Sequence, residues 1–198
     1  MPILPYLVLP LLGYLSGSLP FAIWITRLAK NVDVREAGSG HATTTNTIRQ
    51  AGFVWGELVL VLDVTKGFLP TYLAIQYTHN NWIVALTAAL AVAGHCWPIF
   101  AQFRGGMGLA TFGGALLAAN WFAFVIAMGL LLALTLIIHH GARASVITGI
   151  LVGPLFWLLN LRGVELWIAV AGGLVIALRF LLDWNRKYHE LWLDREKQ

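Results

Sequence analysis

Phe53-Val54-Trp55-Gly56-Glu57-Leu58-Val59-Leu60-Val61-Leu62-Asp63-Val64-Thr65-Lys66-Gly67-Phe68-Leu69-Pro70-Thr71-Tyr72-Leu73-Ala74-Ile75-Gln76-Tyr77 decides the fold. Its only charged side chains are Glu57, Asp63 and Lys66. At an α-helical rise of 1.5 Å per residue, about 20 predominantly apolar residues cross the hydrocarbon of a bilayer. Comparable apolar segments lie on both sides of it. One precedes it over 3–28, with Gly13, Gly17 and Pro20 inside. The others cover 82–100, a short 108–118, 121–138, 144–159 and 164–182, and a polar amphipathic tail closes the chain over 183–198. The 198 residues are 59% hydrophobic and only 11% charged, where a soluble domain carries about 25% charge. A transmembrane β-barrel would show short alternating segments instead. The expectation is an all-α polytopic membrane protein, a single domain over 1–198 with seven transmembrane helices.

Charge sets the orientation. Arg27, Lys30, Arg35, Arg49, Arg104, Arg143, Arg179, Arg186, Lys187, Arg195 and Lys197 fall in alternate loops and the C-terminus. Of the 13 basic residues only Lys66, inside a segment, and Arg162 remain. The positive-inside rule then places the N-terminus outside and the C-terminus in the cytoplasm. The partition needs an odd number of spans, so it fails if the short 108–118 segment is re-entrant. The first segment has no basic n-region, which argues against a cleaved signal peptide. The basic residues flank the spans and form no stripe, so no nucleic-acid partner is expected despite a pI near 9.5. With Cys96 as the single cysteine there is no internal disulfide. The histidines are dispersed, and adjacent His139 and His140 would point about 100° apart on a helix, so neither a metal site nor a cofactor is expected. The tryptophans cluster near segment ends, as an interfacial belt does.

Against this apolar background stands Gly38-Ser39-Gly40-His41-Ala42-Thr43-Thr44-Thr45-Asn46-Thr47-Ile48-Arg49. Glycines let successive N–H groups point one way, and hydroxyls with one guanidinium complete an anion cradle. The stretch reads as a phosphate-binding loop. A second glycine loop, Arg104-Gly105-Gly106-Met107-Gly108, precedes a helix start. That geometry suits an anion, and close helix packing through small residues accounts for it equally. A third polar turn is His139-His140-Gly141-Ala142-Arg143, with Ser145. All three fall on the cytoplasmic side, the convergence a site requires. Asp63 and Lys66, at i and i+3, share a helix face and can pair. They form either a structural ion pair or, through Lys66, a phosphate contact. His95, near the end of the third segment, is either a general base or a structural support for the glycine loop.

Three stretches in order are similar to one family: Gly38-Ser39-Gly40 through Thr45-Asn46 and Arg49; Leu62-Asp63-Val64-Thr65-Lys66-Gly67-Phe68-Leu69-Pro70; and Gly94-His95 through Pro98, Phe100, Phe103, Gly105-Gly106, Gly108 and Ala110-Thr111. The chain resembles the bacterial acyl-phosphate:glycerol-3-phosphate acyltransferases, seven-span inner-membrane enzymes of about this length. The resemblance implies acyl transfer from acyl phosphate to glycerol 3-phosphate, giving lysophosphatidic acid for phospholipid synthesis, without coenzyme A or metal. It implies catalytic roles for Ser39, His95 and Ser145. It places the phosphates on Gly38, Gly40, Thr45, Asn46, Arg49, Lys66, Arg104, Gly105, Gly106 and Gly108, with Asp63 in support. The chain departs from the family pattern at His41 (usually Asn), Thr43-Thr44 (usually Gly-Ala), Met107 (usually Lys), Phe180 (usually His) and Asp183 (usually Asn). The alternatives are a divergent homologue with another acceptor and a non-catalytic lipid-binding or regulatory paralogue.

Overall fold

The computed structural model describes residues 4–186, with side chains from Tyr6 onward. Ile3 and the tail beyond Arg186, including Lys187, Trp192, Arg195 and Lys197, lie outside the described residues. The described chain is helical throughout: α1 (Leu4–Gly17), α2 (Phe21–Lys30), α3 (Thr44–Ala51), α4 (Phe53–Tyr77), α5 (Asn81–Cys96), α6 (Leu109–Ala119), α7 (Trp121–Ile138), α8 (Gly141–Leu158) and α9 (Val164–Leu181). Two 3-10 turns, Val34–Glu36 and Ile99–Ala101, complete it. The chain is an integral membrane protein: among the described residues 6 helical segments, Tyr6–Lys30, Phe53–Tyr77, Asn81–Ala101, Trp121–Ile138, Gly141–Leu158 and Val164–Leu181, are long and apolar enough to cross a bilayer. The seventh apolar segment, α6, has 11 residues, a length of about 16 Å.

Local chemistry sets the element boundaries. Pro20 lacks an N–H and its ring displaces the preceding turn, so the first segment is split into α1 and α2. Asn80 caps α5 by accepting from the Trp82 N–H at 3.0 Å. Asn120 caps α7 by accepting from Phe122 at 2.9 Å and Ala123 at 3.3 Å. Thr43 caps α3 by accepting from Asn46 N–H at 3.3 Å. The second half of the polar stretch is therefore helix α3 and only its first half a loop.

Small residues let the helices approach closely, as membrane packing requires where apolar burial from water drives nothing. Cβ atoms on Gly13, Gly17 and Gly94 would overlap the carbonyls of Thr87, Ala91 and Tyr14. The α1 and α5 contacts advance together, so these helices run parallel. Gly67 and Gly114 bring α4 against α6, and Gly149 and Gly173 bring α8 against α9, each on the partner's backbone. Phe112, Leu116, Phe156, Ile168 and Ile176 fill the space between. At one end of the bundle Trp82 and Trp167 meet, with ring centroids 4.3 Å apart. The loops carrying the polar motifs gather at the other.

Candidate functional site

The polar end is built on Asp33. Its carboxylate caps the first 3-10 turn by accepting from Arg35 N–H at 3.0 Å and from the Arg35 guanidinium at 2.8 and 3.0 Å. Arg35, with Arg27, holds the Asp33 carboxyl far below the usual carboxylate range, and Asp33 raises the Arg35 pKa in turn. Arg35 also donates to the Ala101 carbonyl at 3.0 Å, tying the first polar loop to the turn after α5.

Gly38 and Gly40 take left-handed backbone conformations, at φ 57° and 71°, which glycine adopts without the Cβ penalty. A Cβ on Gly38 would overlap Asn46 Oδ1. Asn46 is fully buried. Its amide donates to the carbonyls of Val34, Ala37 and His41 at 2.8, 3.0 and 3.0 Å. Its oxygen accepts from the Ser39 N–H at 3.3 Å. Asn46 thus holds the loop from within. Thr45 is exposed in the first turn of α3, and partly buried Arg49 follows four residues later on the same face.

The second glycine loop lies beside the first. Ala42 N–H donates to the Gly105 carbonyl at 3.3 Å, and Gly106 N–H to the His95 carbonyl at 3.1 Å. A Cβ on Gly106 would overlap His95 Nε2 and the Ala42 carbonyl. Gly105, Gly106 and Gly108 are buried between these elements. Met107 is 7% exposed and its side chain joins the main apolar core. A lysine there would have to turn out of that core to meet an anion. Arg104 lies at the rim, exposed, and pairs with Glu36 Oε1 at 2.8 Å.

Beneath the loops, Lys66 Nζ is 2.9 Å from Asp63 Oδ1 and donates to the Leu19 carbonyl at 3.0 Å. Its ammonium is thus a second donor, beside the Phe21 N–H at 3.1 Å, to the Leu19 carbonyl at the α1–α2 break. His95 Nδ1 lies 3.6 Å from Asp63 Oδ1, too long for a direct hydrogen bond. Asp63, Lys66, His95, Gly106, Ala42 and Phe21 line a cavity of about 10 Å³, room for one water. Ser145 is buried in the first turn of α8, its hydroxyl donating to the Gly141 carbonyl at 2.9 Å.

The end of α9 and the turn after it close the site. Arg179 is buried and donates through Nε to the Gly106 carbonyl at 3.0 Å. Its Nη2 is 3.2 Å from His41 Nδ1. His41 Nε2 is 2.9 Å from Asp183 Oδ2. Arg186 reaches the Ser39 carbonyl at 2.6 Å and lies 3.1 Å from His41 Nε2. The neutral tautomer with its proton on Nε2 fits Arg179 and Asp183: Nδ1 accepts from Arg179 and Nε2–H donates to Asp183, so Arg186 beside Nε2 makes no hydrogen bond to the ring. Burial and the neighbouring Arg179 lower the His41 pKa, against the pull of Asp183.

The structure therefore brings Ser39, Gly40, Asn46, Gly105, Gly106 and His95 into one hydrogen-bonded assembly, with Gly38 packed on Asn46 and Lys66 and Asp63 below. Asn46 turns its amide onto the loop backbone, and Arg104 points to the rim. Sequence reading did not connect His41 with Asp183, nor either with Arg186. The one available signal was that both His41 and Asp183 depart from the same family pattern.

The family model described as glycerol-3-phosphate acyltransferase matches residues 7–190. A glycerol-3-phosphate acyltransferase of Thermotoga petrophila is 37% identical over 150 residues, 74% of this chain and 76% of that protein. Glycerol-3-phosphate acyltransferase 2 of Thermotoga maritima is 43% identical over 112 residues, 57% of each chain. Among solved structures, the glycerol 3-phosphate form of PlsY (YgiH), an integral membrane glycerol 3-phosphate acyltransferase, is similar over 91% of this chain and 90% of that one, with TM-score 0.79 and 31% identity. Its lysophosphatidic acid form gives a TM-score of 0.78 over the same shares.

Proposed function

The chain belongs to the glycerol-3-phosphate acyltransferase family, and on that premise we propose that it transfers a fatty acyl group from acyl phosphate to glycerol 3-phosphate. The primary hydroxyl oxygen attacks the acyl carbonyl carbon. The carbon–oxygen bond to phosphate breaks, and the products are lysophosphatidic acid and inorganic phosphate, which carries the hydroxyl proton away. The observation that carries the reading is the direct joining of the two glycine loops through Ala42 N–H and the Gly105 carbonyl, with Arg49, Arg179 and Arg186 on the surrounding elements. Two phosphates have to be held side by side for the transfer, and two adjoining loops are suited to that.

Arg49, Thr45, the turn at Gly38–Gly40 and the opening N–H groups of α3 receive one phosphate. Gly105, Gly106 and Gly108 lead the other toward α6, where Gly108 offers no side-chain cap to the first-turn N–H groups. Arg104 adds charge at the rim, which draws anions in. Ser39 hydrogen-bonds the reacting acceptor, and Ser145 borders the acyl chain from α8. Asp63, Lys66 and His95 form the floor, where the Lys66 ammonium supports the α1–α2 break and His95 supports Gly106. Asn46 contributes by shaping the loop.

The site faces the cytoplasm of the bacterial inner membrane in a seven-pass chain with the N-terminus outside. Several contacts support this topology. α1 and α5 run parallel, and Arg143 at the start of α8 reaches Asn185 after α9 at 3.5 Å. α7 therefore ends at the polar face, and the buried loop 105–108 with α6 makes the remaining crossing.

The test is purified protein in detergent or proteoliposomes, with acyl-phosphate consumption and product mass followed together. Folded protein without turnover would sink the reading. Ser39→Ala and Arg49→Ala are each expected to lower kcat/KM by about 100-fold or more, the usual effect of losing one preorganised site contact.

A further inference from the structure

Ser39 is gripped at both ends of its own residue. On the amide side its N–H donates to Asn46 Oδ1 at 3.3 Å. On the carbonyl side its oxygen accepts from Arg186 Nη2 at 2.6 Å. Asn46 lies eight positions after Gly38, within the same motif, and its role is local. Arg186 comes from the far end of the described chain, beyond α9. Its guanidinium is itself located by the Asp183 carboxylate, 3.7 Å away, and packs beside the His41 ring. Asp183 in turn faces Arg179, at 3.9 Å, whose Nε holds the Gly106 carbonyl. A continuous path of polar contacts thus runs from the second glycine loop through Arg179, Asp183 and Arg186 to the backbone of Ser39.

We propose that Arg186 is a positioning residue for Ser39, seated by Asp183 and holding the Ser39 carbonyl so that the serine hydroxyl is presented to the acceptor substrate. The inference rests on the acyl-transfer reading above. A charged donor to a backbone carbonyl fixes one rotation of the peptide unit. With the N–H of the same residue also held, the Ser39 backbone has little freedom, and its side chain starts from a fixed Cα–Cβ direction. The glycines on either side, Gly38 at φ 57° and Gly40 at φ 71°, would otherwise leave this residue loosely determined, because glycine resists rotation least. A preorganised serine matters to the chemical step more than to binding, since small misplacements in a reacting site cost rate.

Arg186→Gln and Arg186→Lys in the full-length protein test this beside the wild type, with kcat and KM for both substrates and the unfolding temperature measured together. The expected result is a fall of at least 10-fold in kcat for Arg186→Gln, with both KM values within threefold and the unfolding temperature nearly unchanged. Arg186→Lys, which keeps a charged donor, recovers at least a third of the wild-type kcat. A purely structural tether would lower the unfolding temperature and leave kcat per folded molecule unchanged. If Arg186→Gln keeps kcat within twofold of wild type, the inference is overturned and the acyl-transfer reading stands. A rise in the KM for glycerol 3-phosphate at unchanged kcat also overturns it, because Arg186 would then be a binding contact. Should Arg186→Gln fail to fold, the same criterion is applied to Arg186→Lys against Arg186→Met. A folded wild type without turnover removes the acyl-transfer reading, and this inference with it.

Discussion

The His41 imidazole lies 2.9 Å from the Asp183 carboxylate, with Arg179 and Arg186 each within 3.2 Å of a ring nitrogen of His41. Along the sequence, a histidine beside Gly40 and an acid after α9 are two separate departures from the family pattern. In the fold they are partners. The acid is screened by two guanidinium groups and a ring N–H, so it contributes a structural contact at a place where an isolated carboxylate would repel phosphate.

The partnership is measurable as a coupling. Asp183→Ala leaves His41 facing two arginines with no counter-charge, and His41→Ala leaves Asp183 without its ring donor. Each single change is expected to destabilise by about 1–3 kcal/mol. The double change should cost less than the sum, with a coupling of about 0.5–3 kcal/mol. Thermal unfolding of the four proteins in one detergent reads this. Additive effects would show that the contact carries no energy.

The pH dependence has a definite sign. The folded-state pKa of His41 is lowered, chiefly by burial and Arg179, from an ordinary value of about 6.5. Above that value the ring is neutral in both states and its contribution to stability is complete. As pH falls below about 6.5 the unfolded chain takes up a proton that the folded protein resists, so stability is lost down to the folded pKa. The slope is at most about 1.4 kcal/mol per pH unit for one proton. His41→Asn should therefore lose less stability than wild type between about pH 6.5 and 5. The difference between their unfolding midpoints across that range checks it, and parallel curves would refute it.

Asn46 is predicted to matter for the loop more than for α3. Asn46→Asp keeps the size but replaces the donor of three backbone contacts with acceptor oxygens. The carbonyls of Val34, Ala37 and His41 would then face a carboxylate. A loss of about 3 kcal/mol or more is expected from buried acceptors left unbonded. Faster hydrogen exchange in 34–42, with α4 and α5 still protected, would locate the effect.

Glycine substitutions separate contact from propensity. Gly106→Ala places a methyl on His95 Nε2 and the Ala42 carbonyl. This should cost about 1–3 kcal/mol through overpacking, with activity lowered at least 10-fold. Gly129→Ala in α7 meets nothing within 4 Å. It should be neutral, or stabilising by up to about 1 kcal/mol, because alanine favours the helix. Unfolding midpoints and initial rates of the two variants provide the comparison.

Much of the site could be read from the sequence because its motifs are local. Gly38, Ser39, Gly40, Asn46 and Arg49 sit within one stretch, and Asp63 and Lys66 fall on one helix face by spacing alone. What spacing does not show is how a polar atom is used. The family resemblance assigned Asn46 to phosphate, yet its amide bonds to loop carbonyls. By spacing Lys66 could pair with Asp63 or meet a phosphate, and the break at Pro20 supplies the further partner that the linear pattern hides. Met107 stands in a glycine loop, but its side chain belongs to the apolar core.

The sequence by itself determined that this is an all-helical membrane protein with a few polar motifs set against an apolar background. Hydropathy over a bilayer's thickness is a property of consecutive residues and needs no partner. Tertiary structure alone decided that the turn after α9 lies on the Ser39 loop, that His41 meets Asp183, and that Arg186 holds the Ser39 carbonyl. Those contacts join residues from opposite ends of the chain. They exist because α1 packs closely on α5 through glycines and α5 packs in turn on α9, which brings the two ends to the same face of the bundle.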